Sequence, residues 1–168
     1  TLSVSGLANL KSINCANNQL TTLSVASLSN MEILWCYNNQ LTTLNLTGAM
    51  GSFHELNCSS NQLTTLNIPT LVNLSILRCS NNSLTSVSTT NLLNLKIYDC
   101  DYNQMTALNV TGLPMLEYLS CTYNQLTSLN VANLANLKGL GCNNNLLTAI
   151  DFTGLTSLTG LNFSYNAF

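Results

Sequence analysis

Seven cysteines recur along this chain at nearly constant spacing, and this spacing constrains the fold more than any other feature. They stand at positions 15, 36, 58, 79, 100, 121 and 142, so every interval but one is 21 residues, and the exception is 22. Phe163 continues the series 21 residues further on. A unit this short cannot bury its own apolar side chains, whereas stacked copies share a continuous core. The spacing therefore predicts a solenoid in which each repeat contacts its neighbours.

Around each cysteine the sequence follows the frame L-x-x-L-x-C-x-x-N-x-L-T-x-L-x-V-x-x-L-x-N. Residues 10–30 (LKSINCANNQLTTLSVASLSN) and residues 116–136 (LEYLSCTYNQLTSLNVANLAN) show it nearly complete. The frame resembles the leucine-rich repeat, in the 21-residue form found in many bacterial cell-surface and secreted proteins. The resemblance covers residues 10–168. It implies a mostly β, right-handed solenoid with a parallel β-sheet on the concave face, short strands, 3₁₀ turns or loops on the convex side, and little α-helix.

The chain is predicted to form one solenoid domain over residues 1–168. The alternation in L-x-x-L-x-C is typical of a short strand with one buried face. Repeats are expected to begin at about residues 10, 31, 53, 74, 95, 116, 137 and 158, the last being truncated, with residues 1–9 as the tail of a preceding repeat. Flanking repeats or domains are expected beyond both ends. An extra residue near Gly48–Met50 predicts a bulge in a convex loop, with a contact site as the alternative.

The low charge of the chain argues against a nucleic-acid partner, and the lack of long apolar runs argues against membrane insertion. Charged residues make up 6% of the sequence and the net charge is −2, against roughly 25% charged residues in a typical soluble domain. The four basic residues are scattered, at Lys11, Arg78, Lys96 and Lys138. Nucleic-acid binding requires clustered cations that follow phosphates, so no nucleic-acid partner is expected. No apolar run approaches the ~20 residues of a transmembrane helix, so no membrane insertion is expected.

The cysteines and asparagines of the frame are interpreted as structural. Every cysteine occupies a position where the repeat needs a buried apolar residue, and the sequence contains no C-x-x-C pair. Metal ligands must converge on one point, whereas a ladder spreads its sulfurs along a line, so neither a metal nor a cofactor is expected. The asparagines stand where the chain leaves each strand, at positions 18, 39, 61, 82, 103, 124, 145 and 166. Their amides are expected to satisfy buried backbone groups.

A threonine follows the next leucine in seven repeats, at positions 21, 42, 64, 85, 106, 127 and 148. A regular threonine array suggests ice binding. Ice recognition needs two or more parallel rows, however, and the neighbouring row decays to serine and alanine at Ser86, Ala107, Ser128 and Ala149. We therefore expect the threonine hydroxyls to bond nearby backbone instead.

Catalysis is not predicted. His54 is the only histidine and lies next to Glu55, with no serine or cysteine that can be assigned to it. Because the cysteines are expected to be buried, a Cys–His pair has no support. A solvated surface histidine and a protein without enzymatic activity are the expectation.

Positions that the repeat leaves free carry an unusual number of aromatic residues. Five of the six tyrosines and the single tryptophan fall in the outward rows beside and just after each cysteine, while Tyr98 takes a core position. Exposed aromatic side chains are typical of binding surfaces, because they offer area at a low cost in side-chain entropy. The alternative is that they cover the sheet or pack on a neighbouring domain. The candidate ligand-binding residues are Ile33, Trp35, Tyr37, Ile76, Arg78, Ile97, Asp99, Asp101, Tyr102, Tyr118 and Tyr123.

The charges among these residues permit two arrangements. Arg78 and Asp99 occupy the same row on adjacent rungs, which predicts a salt bridge between them. Asp99 and Asp101 project on the same side and could hold a cation such as calcium, although two carboxylates alone make a weak site.

The pattern as a whole predicts a recognition or adhesion module of a bacterial surface or secreted protein, which binds a protein or glycan through the concave face. Two alternatives remain at this point. One is a structural spacer or stalk within a larger surface protein, and the other is ice binding by the threonine row. Localisation outside the cell follows from the family resemblance and from a surface rich in Asn and Thr but poor in charge.

Overall fold

The protein is built of short strands joined by turns. A computed structural model describes residues 2, 4, 6–26, 28–47, 51–68 and 71–168, and these residues contain no helix. They therefore include no helix long and apolar enough to cross a membrane. The strands are β1 (Ser12–Asn14), β2 (Thr22–Ser24), β3 (Ile33–Trp35), β4 (Thr43–Asn45), β5 (Glu55–Asn57), β6 (Ile76–Arg78), β7 (Ile97–Asp99), β8 (Tyr118–Ser120), β9 (Gly139–Gly141) and β10 (Gly160–Asn162).

Eight of the strands form one parallel sheet in the order β1-β3-β5-β6-β7-β8-β9-β10. Paired residues on neighbouring strands occupy equivalent positions in successive repeats, so that Ile76 pairs with Ile97, and Arg78 pairs with Asp99. Strands β2 and β4 form a separate two-stranded parallel sheet on the other side of the coil. Each strand of the large sheet thus pairs with the equivalent strand of the adjacent repeat. The predicted mostly β solenoid with a parallel sheet is confirmed.

The core follows the repeat frame. The central residue of each strand from β1 to β9, other than the partly exposed Leu44 of β4, is buried, and so are all seven cysteines. Two residues depart from the frame inside the core. Phe53 is fully buried where most repeats have leucine or methionine, and Tyr98 is fully buried at the centre of β7. The Tyr98 hydroxyl has no hydrogen-bond partner among the described residues, which makes it a destabilising feature of the core.

On the convex side the chain turns twice in succession in repeats whose convex segment is described, as residues 110–116 illustrate. Leu113 N–H donates to the Val110 carbonyl at 3.2 Å, and Leu116 N–H donates to the Leu113 carbonyl at 3.1 Å. The apolar side chains of these turns point inward and are buried, because the two turns bring residues three apart to the same side. Short strands and turns therefore make up the described convex side, as expected. The bulge predicted near Gly48–Met50 lies outside the described residues.

The asparagine ladder supplies hydrogen bonds that the backbone cannot make for itself. The Asn103 amide Nδ2 donates to the carbonyls of Cys100, Asp101 and, one repeat back, Cys79, each at 3.1 Å. Its Oδ1 accepts the Leu84 N–H at 3.0 Å. One buried side chain thus shares its two N–H groups among three carbonyls and accepts one backbone N–H, and it ties two repeats together. The structural interpretation of the asparagines is confirmed.

The cysteine ladder behaves as a row of small apolar residues. All seven thiols are free and buried. The Cys100 Sγ points at the Ser120 carbonyl of the next strand, 3.4 Å away, and the Cys121 Sγ lies 3.5 Å from the Gly141 carbonyl. Burial raises the pKa of the Cys58 thiol to about 12 and that of Cys142 to about 11. Thiols of this kind stay protonated at neutral pH and are poor nucleophiles.

We expect Asn103→Ala to lower the free energy of unfolding by about 3 kcal/mol, because it leaves buried backbone groups without partners. Asn18→Ala is the matched control. Asn18 is exposed, and among the described residues its amide bonds only the Cys15 and Ala16 carbonyls of its own turn. Urea unfolding followed by circular dichroism measures both variants. Equal losses of stability would contradict the assigned role of the inter-repeat bonds.

The buried thiols are expected to be inert in the native protein. A chromogenic disulfide reagent at pH 8 should react with few or none of the seven cysteines until denaturant is added, and then with all seven. Cys15, at one end of the ladder, is the position at which slow native reaction is expected first, since its thiol is only partly enclosed. Rapid reaction of several thiols in the folded protein would be inconsistent with this packing.

Candidate functional site

The outward surface of the eight-stranded sheet brings together the residues that the repeat leaves free. We call this surface the sheet face; it comprises the two residues that flank the central residue of each strand and the two residues after each cysteine. Each predicted ligand-binding residue lies on this face, and each is partly or largely exposed. Their role in binding remains a prediction.

An apolar row runs across the middle strands of the sheet face. Ile76, Ile97 and Tyr118 occupy paired positions on β6, β7 and β8. The isoleucines are partly buried, whereas the Tyr118 side chain is 49% exposed. Ile33 lies in the same row on β3, but Glu55 of β5 separates it from Ile76. The predicted patch is therefore divided by a charged side chain.

Tyr102 and Tyr123 form a stacked pair beside this row. Their ring centroids are 4.3 Å apart and their planes differ by 11°. Both residues have left-handed backbone conformations, with φ values of 51° and 52°. The equivalent positions in other repeats include Asn17, Asn38 and Asn144. Asparagine tolerates this conformation, whereas a bulky side chain is disfavoured in it. Stacking of the rings offsets part of that cost.

Glu55 links the two halves of the sheet face. Its Oε1 accepts a hydrogen bond from Trp35 Nε1 at 2.9 Å and one from Arg78 Nη1 at 3.3 Å. The predicted salt bridge between Arg78 and Asp99 is therefore wrong. Arg78 extends towards β5, where Glu55 lies in the adjacent outward row, rather than across to β7. Glu55 was not among the predicted site residues, because the sequence does not show which way a long side chain extends.

The two aspartates on the sheet face bond to polar groups of the protein. The Ser80 hydroxyl donates to Asp99 Oδ1, and the Thr122 N–H donates to Asp101 Oδ1 at 2.7 Å. Burial raises the pKa of the Asp101 carboxyl above its ordinary value, although hydrogen bonds from Ser120 and Thr122 lower it in part. Within the described residues, no group of three or more His, Cys, Asp or Glu side chains is placed to hold a metal ion.

An open trough of about 470 Å³ crosses the sheet face from β6 to β10. Gly139, Gly141 and Gly160 line it, and Asp99, Asp101 and Tyr118 stand along it. A Cβ atom at position 139 would lie 2.9 Å from Tyr118 Cδ1, so the glycine allows the tyrosine ring to lie against the backbone of β9. The trough was not predicted from the sequence. The sequence feature that indicates the trough is the set of glycines at outward positions of the last repeats, where side chains are absent.

The prediction for the threonine hydroxyls is wrong, whereas His54 lies at the surface as expected. The threonine ladder is exposed, but within the part of the chain that the structure describes its hydroxyls do not bond the backbone as predicted. The threonines whose hydroxyls donate to carbonyls are Thr89 and Thr159, which lie outside the ladder. His54 is partly exposed, and its Nδ1 lies 3.2 Å from the Ser52 carbonyl. With every cysteine buried, no thiol is available to a partner base.

Comparison with known proteins gives a consistent result. A family model described as leucine-rich repeats (two copies) matches residues 8–48. The functional domain of InlJ from Listeria monocytogenes, described as including a cysteine ladder, is 34% identical with a TM-score of 0.92 over 95% of this chain and 36% of that one. A leucine-rich-repeat protein from Leptospira interrogans is 32% identical with a TM-score of 0.86 over 95% of this chain and 44% of that one.

The leucine-rich effector protein YopM from Yersinia pestis is 28% identical, with a TM-score of 0.76 over 86% of this chain and 40% of that one. The chain thus spans less than half the length of each of these three relatives. No curated protein sequence matches it.

The raised pKa of Asp101 leads to a pH-dependent effect on stability. Because the folded state holds this proton more tightly than the unfolded state, the carboxyl contributes stability at low pH that is lost as the pH rises above about 4. Asp101→Asn keeps the acceptor for Thr122 and removes the charge. We therefore expect the variant to gain stability relative to the wild type as the pH rises from 3.5 to 7, measured by thermal unfolding (the range brackets the aspartate pKa of about 4).

Asp151→Asn is the control of opposite sign. The Asp151 pKa is lowered by hydrogen bonds from the Thr153 hydroxyl and N–H, so its carboxylate stabilises the protein at neutral pH and loses that effect on acidification. This variant should lose stability relative to the wild type as the pH rises. Parallel behaviour of the two variants would show that burial does not govern Asp101.

Proposed function

The chain is a leucine-rich-repeat solenoid of the 21-residue form, and we propose that it is a recognition module that binds a protein or glycan ligand through the sheet face. Leucine-rich-repeat proteins are typically interaction modules without enzymatic activity, which supports this proposal. The proposed ligand-binding residues are those predicted from the sequence, with Glu55 added because it holds Trp35 and Arg78 in place.

One observation carries the proposal, namely the two stacked tyrosines in left-handed backbone conformations. Tyr102 and Tyr123 are 48% and 46% exposed, so they contribute little to the core. An ordinary L-residue costs roughly 1–2 kcal/mol in this conformation, whereas asparagine tolerates it because its short polar side chain can hydrogen-bond locally. Asparagine fills the equivalent position in four other repeats. A tyrosine in a backbone conformation that lowers stability, and that does not improve the packing of the core, supports a role in recognition.

The surroundings of the pair fit the same role. Tyr118 exposes half of its side chain beside the partly buried Ile97, so aromatic and apolar surface extends over adjacent repeats. Aromatic anchors framed by polar groups are typical of the energetically dominant part of an interface. Polar atoms of Asp99, Asp101 and Arg78 border this surface, where they can orient a ligand.

We place the module at the bacterial cell surface or outside the cell, as part of the same proposal. A surface rich in Asn and Thr and poor in charge supports that placement, and so does the likeness to a Listeria monocytogenes domain with a cysteine ladder. Adhesion to a host or neighbouring cell is the corresponding role. The free thiols require no oxidising compartment, because their burial protects them in either environment.

A binding screen against immobilised glycans and candidate surface proteins tests the proposal. The informative variant is Tyr102→Asn/Tyr123→Asn, which installs the residue found in other repeats. Relief of backbone strain, about 1 kcal/mol per residue, offsets the lost stacking of about 0.5–1.5 kcal/mol. We expect the unfolding temperature to be unchanged or higher and the affinity for any ligand found to fall at least about tenfold.

Tyr165→Asn is the matched control, since Tyr165 has the same backbone conformation (φ 54°) and is 80% exposed, but lies two repeats beyond the stacked pair. Its affinity for the ligand should equal that of the wild type. If the double variant binds as well as the wild type, the tyrosine pair is not part of the site. If the wild-type domain binds nothing, a spacer role replaces recognition.

A further inference from the structure

We propose that the glycine-lined trough is a docking subsite for a protein partner and receives an arginine side chain of that partner. The inference rests on the proposed function and goes further, because it names the partner class and the group that is recognised. Three observations support it: the balance of charge on the sheet face, the shape of the trough, and the position of the Tyr118 ring.

The charges of the chain leave a local negative excess in the trough. Three of the four cationic side chains pair with a glutamate one repeat away, as in Lys11–Glu32 at 2.7 Å and Arg78–Glu55 at 3.3 Å; Lys138–Glu117 is the third pair. Three acidic side chains, Asp99, Asp101 and Asp151, are in no ion pair within the described residues. Two of these three stand in the trough. The complementary group is therefore a cation.

Arg78 does not neutralise this excess. Its guanidinium extends to Glu55 on β5, whereas the glycines lie on β9 and β10 at the other end of the trough. Glu55 thus keeps the only arginine of the chain turned away from the aspartates. Arg78 also lines the β6 end of the trough, but its charge is compensated there by Glu55. A second arginine, supplied by a partner, can therefore approach the two carboxylates from the glycine end, on β9 and β10.

The shape of the trough favours a flat cation. Without side chains at Gly139 and Gly141, the backbone forms the floor, and Tyr118 lies against it at one side. A guanidinium is planar, stacks on an aromatic ring and offers forked N–H donors to carboxylates. A metal ion is disfavoured because only two carboxylates line the trough. A neutral glycan would leave the negative charge uncompensated.

The test uses the folded chain labelled with ¹⁵N and the peptide acetyl-Gly-Arg-Gly-amide as the probe. Titration should shift the amide resonances of Gly139 and Gly141, and the shifts should weaken as salt is added. The same peptide with citrulline in place of arginine has nearly the same shape without the charge. We expect it to bind at least about tenfold more weakly, as for loss of a close charge pair.

Two variants probe the site itself. Asp99→Asn/Asp101→Asn should weaken binding of the arginine peptide at least about tenfold, whereas Asp151→Asn, which removes the unpaired aspartate outside the trough, should leave it unchanged. Gly160→Val should fill part of the trough and also weaken binding. A side chain at position 160 meets only ordinary contacts, at 3.9 Å and 4.0 Å, so the fold should tolerate it. Unfolding temperatures verify this.

Equal binding of the arginine and citrulline peptides, or shifts confined to residues outside the trough, would overturn the inference. Occupation of the trough by a neutral probe such as cellohexaose, with no response to the arginine peptide, would assign it to a glycan instead. The proposed function fails separately. A ligand that is lost in Tyr102→Asn/Tyr123→Asn but retained in Asp99→Asn/Asp101→Asn would keep the recognition role and refute the arginine subsite.

Discussion

The rest of this structure depends on the hydrogen bonds that the asparagine side chain in the turn after each strand makes to the backbone. A solenoid must turn out of its sheet once in every repeat, and each turn exposes carbonyl and N–H groups that the neighbouring turns bury. Asn103 shows how one amide shares its two N–H groups among three carbonyls and accepts one backbone N–H, across two repeats. Because buried backbone groups without partners are costly, the asparagine also determines the register in which successive repeats stack. The buried cysteines then line up directly after the strands of the large sheet.

This scaffold leaves the sheet face free to vary. Where the chain leaves each strand, a residue adopts a left-handed conformation that suits asparagine, and Asn17 and Asn38 illustrate the ordinary solution. Tyr102 and Tyr123 accept the same conformation at a cost that their mutual stacking only partly offsets. The core carries a smaller exception in Tyr98, whose buried hydroxyl has no partner in the described residues. Stability and surface chemistry are therefore set by different positions of the same repeat.

Few charges are present, so the position of each has a large effect. Glu55 organises one half of the sheet face by holding Trp35 and Arg78, and this contact leaves Asp99 without its expected partner. The aspartates instead accept hydrogen bonds from Ser80 and from the backbone N–H of Thr122. The negative excess in the trough is thus a consequence of where one arginine extends, in a chain whose net charge is only −2.

The sequence alone determined the repeat length, the parallel sheet, the buried cysteines and the asparagine ladder, because each follows from a period that permits a single way of stacking. It also determined which residues lie on the sheet face, since alternation along a strand sets the side of every side chain. Only the tertiary structure decided which neighbours those side chains meet. Arg78 pairs with Glu55 instead of Asp99, and the glycines of β9 and β10 leave a trough because they have no side chains. The physical reason is that strand pairing determines the positions of backbone atoms. The conformation of a long side chain depends instead on the charges and the free volume around it, to which several repeats contribute.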